Sequence, residues 1–189
     1  DFVADSDPSP TVSALDNLID RIMAVRKLRE VRALRGFYRH KPGGPGESES
    51  RLTPPDLGKG QDWLPATEVF GEGIFLALNE ERLQRWEQKE SVVTRIERLE
   101  ERQEESVYGA VVPTATPRYV LLNTLAHLLI RRLAFSCGYA SAALRERIYA
   151  QPAAFGDPRA GMLIYTAEGD SEGTLGGLVR RAEPPRLAS

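Results

Sequence analysis

Residues 118–135 read RYVLLNTLAHLLIRRLAF, and this stretch decides the architecture. Tyr119, Leu122, Ala126, Leu129 and Leu133 recur at helical spacing along one face, and Leu121, Leu125 and Leu128 line a second. A helix apolar over so much of its surface belongs in an interior. Gly138 supplies the stop, because glycine adopts the left-handed conformation that closes a helix. Leu122, Leu125, Leu129 and Leu133 are expected to be nearly fully buried. Working outward, residues 141–149 predict a shorter helix and 151–160 a Pro/Gly loop. Gly161-Met162-Leu163-Ile164-Tyr165-Thr166 predicts a buried strand. An acidic, Gly-rich turn at 168–173 and a short helix at 174–181 follow. The fold class is α+β: a buried central helix packed with short strands, with additional exposed helices.

Upstream, Leu15, Leu18, Ile19, Ile22 and Val25 follow helical spacing after a capping box at Ser13-Ala14-Leu15-Asp16. Residues 32–40 read as either helix or strand. Val69-Phe70 and Ile74-Phe75-Leu76 flank Gly71-Glu72-Gly73, which predicts two short strands about a turn. Asn79 should cap a sparse, charged and solvated helix, or a helical hairpin, running as far as Glu105. The organisation is then 1–11 a tail or linker, 12–40 a helix and basic segment of the domain, 41–60 a flexible Gly/Pro/Ser loop, 61–181 the main part of the domain and 182–189 a tail.

Composition limits the function. The 189 residues hold 25 Lys+Arg against 27 Asp+Glu, a formal charge of −2, which excludes a uniformly basic nucleic-acid coat. Hydrophobic residues make up 41% and aromatics 7%, so the core rests on aliphatic side chains. A single cysteine, Cys137, excludes an internal disulfide framework and suits a reducing cytoplasm. No apolar run reaches the roughly 18 residues needed to span a bilayer. The start at Asp1 without Met suggests a piece of something longer.

Several residues could carry chemistry. Asn123, His127 and Arg131 sit four apart, with Thr124 beside them, and make a polar stripe on the buried helix. A stripe so placed needs polar partners. The expected partner of His127 is the 168–172 turn or a backbone carbonyl, in a structural network rather than a metal site. One histidine supplies too few ligands for zinc. Cys137 reads as a structural thiol. Between residues 21 and 41 there are eight basic residues against Glu30, and between 118 and 149 five arginines against Glu146. Arg26, Arg29, Arg32, Arg35, Arg145 and Arg147 are therefore candidate phosphate contacts.

Residues 118–149 and 161–180 (GMLIYTAEGDSEGTLGGLVR), with Leu28-Arg29-Glu30-Val31-Arg32-Ala33-Leu34-Arg35-Gly36-Phe37 and Gly71-Glu72-Gly73-Ile74-Phe75, resemble the C-terminal region of DrmB-like proteins. Those proteins belong to the DISARM anti-phage defence system, and a related domain ends MrfA-like helicases. The resemblance covers most of residues 16–181 and makes 61–181 a DrmB-like C-terminal domain. It implies a non-catalytic accessory subunit with no cofactor, partnered by a DrmA-like helicase ATPase. Contact with DNA would be weak and non-specific. The family carries His-Thr-x-x-His where this chain has Asn123-Thr124-Leu125-Ala126-His127, and further cysteines beyond the glycine motif that this sequence lacks, so no metal site carries over. The competing reading is a phosphodiesterase or nuclease using His127 with Asp170 or Glu172 of the acidic turn.

Overall fold

A fifteen-residue strand, β2 (Ile19–Ala33), pairs antiparallel with a thirteen-residue strand, β3 (Ala66–Leu78), from Ile19 opposite Leu78 to Ala33 opposite Ala66. The computed structural model describes residues 3–5, 17–38, 52–57, 62–140, 143–166 and 177–182. After β3 come two helices, α1 (Glu80–Glu87) and α2 (Glu90–Glu104), and then the long α3 (Pro117–Cys137). Two more strands, β4 (Leu144–Gln151) and β5 (Arg159–Thr166), form a hairpin, and α4 (Val179–Ala182) follows. A short strand β1 (Val3–Asp5) completes one antiparallel sheet in the order β1-β2-β3-β5-β4.

The α+β class holds: α3 lies across β4 and β5. Leu122 and Ala126 are fully buried against Ile74, Leu76, Leu144, Met162 and Leu178. Leu125, Leu129 and Leu133 pack around this core but stay half-buried, short of the full burial expected, and Leu128 and Phe135 are exposed. The reason is geometric. A sheet covers one side of a helix, so an apolar surface that wraps further must leave part of itself uncovered. The helix ends are as the sequence indicates. The Thr116 hydroxyl accepts from the Tyr119 amide at 3.3 Å, and Gly138 adopts φ 73°.

Several expectations about individual elements are corrected. The helix placed within 12–40 is, over its described part, the strand β2. Its apolar residues fit either period, and twelve residue pairs with β3 decide for the strand. This pairing joins residues of the 12–40 segment to those of 61–181 in one sheet. The tail at 1–11 contributes β1, and within the 41–60 loop Thr53 bridges Phe37.

Gly71-Glu72-Gly73 is no turn but the middle of β3. A Cβ on Gly73 would sit 2.8 Å from the Ile164 carbonyl oxygen, so glycine here marks close backbone approach. The helix expected at 141–149 is the strand β4. Leu144, Glu146 and Ile148 alternate there with Arg145, Arg147 and Tyr149, and this places the two sets on opposite faces. Of the helix or helical hairpin expected after Asn79, the structure has two helices broken at Gln88-Lys89, with Asn79 capping the first by accepting from the Arg82 amide at 3.0 Å. The capping box at 13–16, the acidic turn at 168–173, the Cys137 side chain and the tail at 183–189 lie outside the described residues.

Leu122→Ala should cost about 2–5 kcal/mol in urea denaturation, and the half-buried Leu129→Ala clearly less. Equal losses would contradict the placement of the core.

Candidate functional site

Arg118 stands in the first turn of α3, where the helix dipole disfavours a cation and no acidic side chain of the same turn compensates. It is nevertheless 1% exposed. The guanidinium donates to both oxygens of Glu80 at 2.6 and 3.1 Å and to both oxygens of Glu87 at 3.0 and 3.1 Å. It also donates to the carbonyls of Gln151 at 2.9 Å and Arg159 at 3.2 Å. One side chain thus joins both ends of α1, the start of α3, the end of β4 and the start of β5. Burial works against its charge, but the Glu87 and Glu80 carboxylates outweigh burial and hold the group above the ordinary arginine range. The planar fork meets two carboxylates at once, which a lysine cannot do.

Glu72 is the second buried charge, 1% exposed. Its carboxylate accepts from the Leu178 amide at 2.8 Å, from the Val179 amide at 3.5 Å and from the Tyr139 hydroxyl at 3.1 Å. The Glu72 amide donates to the Thr166 hydroxyl at 3.4 Å. Glu72 therefore ties the start of α4 and the residue after the α3 cap to the centre of β3.

A third cluster gathers on the sheet face away from α3. Arg32 donates to Glu30 Oε1 at 2.6 Å, Arg145 to the same oxygen at 3.2 Å, and the Tyr165 hydroxyl to Oε2 at 3.2 Å. Gly71 and Gly73 present no side chains between these groups, so residues of β4 and β5 reach β2 across β3. The Arg32 hydrogen bond, opposed in part by burial and aided by Tyr165 and Arg145, holds Glu30 below the usual carboxylate range. Burial first, and then Glu30, pushes the Tyr165 phenol up.

The two basic segments of the sequence therefore converge on one glutamate. Arg29 pairs separately with Glu68 at 2.7 Å, and Arg26 is also engaged. Arg35 and Arg147 are exposed.

The polar stripe differs from expectation. Asn123 is half-buried, while Thr124, His127 and Arg131 are exposed. The Thr124 hydroxyl donates back to the Val120 carbonyl at 2.7 Å. The His127 side chain is 58% exposed, and its Nε2 lies 3.3 Å from Glu146 Oε1 on β4 rather than in a buried network. A groove of about 600 Å³ runs here past His127, Arg131, Arg145, Glu146 and Tyr165. The stripe lies at the rim of the core because β4 is the edge strand and covers the helix no further.

Residues 125–184 match the MrfA Zn-binding domain family. Over 178 residues the chain is 34% identical to the DISARM protein DrmB of Bacillus paralicheniformis. The likeness to DrmB implied by the sequence motifs is thereby shown. The match takes in 89% of this chain and 30% of that protein, so the chain spans about a third of its relative's length.

The family name implies zinc, and the donor set does not fit it. The sequence holds one cysteine and two histidines. Among the described residues no three His, Cys, Asp or Glu side chains come together, and His127 meets one carboxylate. A structural zinc site takes four such ligands.

Sequence reasoning passed over Arg118 and Glu72. A lone arginine opening an apolar helix was the available signal for the first. For the second it was an acid between two glycines in an otherwise apolar run.

Arg118→Met should lower stability by about 3 kcal/mol, the low end for breaking a buried ion pair, because Glu80 and Glu87 retain some contact with water. An unchanged denaturation midpoint would contradict this. The depressed Glu30 carboxyl contributes stability that is present above its unfolded value, near pH 4.3 or so. That stability is lost as the pH falls through the folded value. Acid titration of the melting temperature should show a smaller drop below about pH 5 for Glu30→Gln than for the wild type. Parallel curves would refute the cluster's contribution.

Proposed function

We propose that this chain is a non-catalytic scaffolding module of a DISARM-type defence subunit, acting in the cytoplasm beside a DrmA-like helicase ATPase and contacting DNA without sequence preference. One observation carries the reading: the strongest polar clusters are joints between elements. Arg118 holds α1, α3, β4 and β5 together, Glu72 holds α4 to the sheet, and Glu30 holds β2 to β4 and β5. Groups held this firmly in structural contacts suit a rigid platform better than proton transfer. The likeness to DrmB supports the defence context. No helix among the described residues is long and apolar enough to cross a membrane.

A second feature suits a platform. Val107, Tyr108, Val111 and Val112, between α2 and α3, are all exposed. Their loop is held by Gln103, whose amide donates to the Gly109, Val112 and Pro113 carbonyls at 3.1 to 3.2 Å and accepts from the Ala115 amide at 3.0 Å. An ordered loop that displays large apolar groups is the kind of feature that a protein partner covers. The hydrolase reading gains no such support among the described residues, where His127 is exposed and faces the largely buried Glu146, and its Asp170 and Glu172 lie outside them.

Mixed with a DrmA-like helicase ATPase, the chain should co-elute in size-exclusion chromatography. DNA incubated with the chain and divalent metal should stay intact. Absence of a complex would contradict the scaffold reading, and cleavage abolished by His127→Ala would establish the hydrolase instead.

A further inference from the structure

Helix α2 carries eight charged residues, three arginines and five glutamates, yet no glutamate and arginine stand four apart. The four-residue spacings it uses are Arg98 with Arg102, Glu97 with Glu101 and Glu100 with Glu104, all like-charged pairs that work against an isolated helix, and one opposite pair, Arg98 and Glu101, stands three apart. At 3.6 residues per turn, Arg95, Arg98 and Arg102 fall on one face with Ser91 and Thr94, Glu101 borders that face, and Glu97, Glu100 and Glu104 turn to the other side. The buried Ile96 fixes how the helix rolls against the rest of the molecule. The arginine face is exposed and lines a shallow groove of about 570 Å³, with Glu90 at its N-terminal end.

Several arginines elsewhere are neutralised, as with Arg29 and Glu68, Arg32 and Glu30, Arg118 and Glu80, and Arg145 and Glu30, whereas Arg35 and Arg147 are exposed and in no ion pair among the described residues. Arg95, Arg98 and Arg102 make no ion pair among the described residues, although five glutamates share their helix.

We infer that this face of α2, rather than the arginines of β2 and β4, is the surface that meets the phosphate backbone of duplex DNA. The inference rests on the DNA-contact part of the function proposed above and locates it. Arg95 to Arg102 spans about 10 Å along the helix, a length over which a duplex presents roughly six phosphate charges. The interspersed Ser91 and Thr94 hydroxyls are further donors of the kind that meet phosphate oxygens. No aromatic side chain stands on this face for unpaired bases to stack on, which favours a duplex backbone over a single strand. Contacts of this kind position a duplex and do not read its sequence.

The test is fluorescence anisotropy with the purified chain and labelled duplexes of two unrelated sequences, at low and moderate salt. Arg95→Gln/Arg98→Gln/Arg102→Gln keeps good helix formers and removes like-charge repulsion, so circular dichroism and melting should be preserved. The variant should bind both duplexes roughly tenfold or more weakly at low salt, with a salt slope smaller by about 3, one per lost phosphate contact. If it binds like the wild type while Arg29→Gln/Arg32→Gln/Arg145→Gln loses affinity, the inference is overturned and the DNA-contact reading stands. If the wild type shows no salt-dependent binding, that reading falls, and the inference falls with it.

Discussion

Placing one guanidinium out of water is the constraint around which the structure is organised. A buried arginine is tolerable only when most of its N–H groups meet acceptors and its charge meets carboxylates. For Arg118 those acceptors are side chains at both ends of α1 and carbonyls at the adjoining ends of β4 and β5. Satisfying them fixes where α1 sits, how the β4–β5 hairpin closes and where α3 begins. Once α3 begins there, Leu122 and Ala126 fall over Met162 and Leu144, and the core follows from that register.

The opposite end of α3 is held by the same physics with the sign reversed. Glu72 is a carboxylate carried into the interior by the strand β3, and backbone amides and a tyrosine hydroxyl meet it. Between these two anchors the α3 face of the sheet is largely apolar, with Glu146 facing His127 on the edge strand. On the other face Glu30 draws Arg32 and Arg145 together across glycines. Charges that look like a basic surface in the sequence are in this way partly neutralised in the fold, while the arginines of α2 make no ion pair among the described residues.

The sequence made α3 legible because helical periodicity and the Gly138 stop agree, whereas the Thr116 cap and Pro117 in the first turn came from the structure. The strand β5 and the Asn79 cap were legible for the same reason, since local chemistry and tertiary role coincide there. The strand β2 was not, because Ile19, Ile22 and Val25 satisfy a helical spacing while pairing with β3 governs. Gly71 and Gly73 look like a turn until β5 is laid against them. The charge joints were hidden by distance: Arg118 lies 31 and 38 residues from its carboxylates, and Glu72 lies 106 residues from the Leu178 amide. No local pattern encodes such pairs. His127 was expected in a buried network because the helix reads as buried all round, whereas an edge strand leaves its rim open.

The central claim is that Arg118 couples α1 to the β4–β5 hairpin as one cooperative unit. Native-state hydrogen exchange on the wild type and Arg118→Met tests it most directly. The account predicts that amides of α1 and those near Gln151 and Arg159 lose protection together in the variant, while the β2–β3 ladder keeps its protection. Loss confined to the first turn of α3, with α1 and the hairpin unchanged, would contradict it.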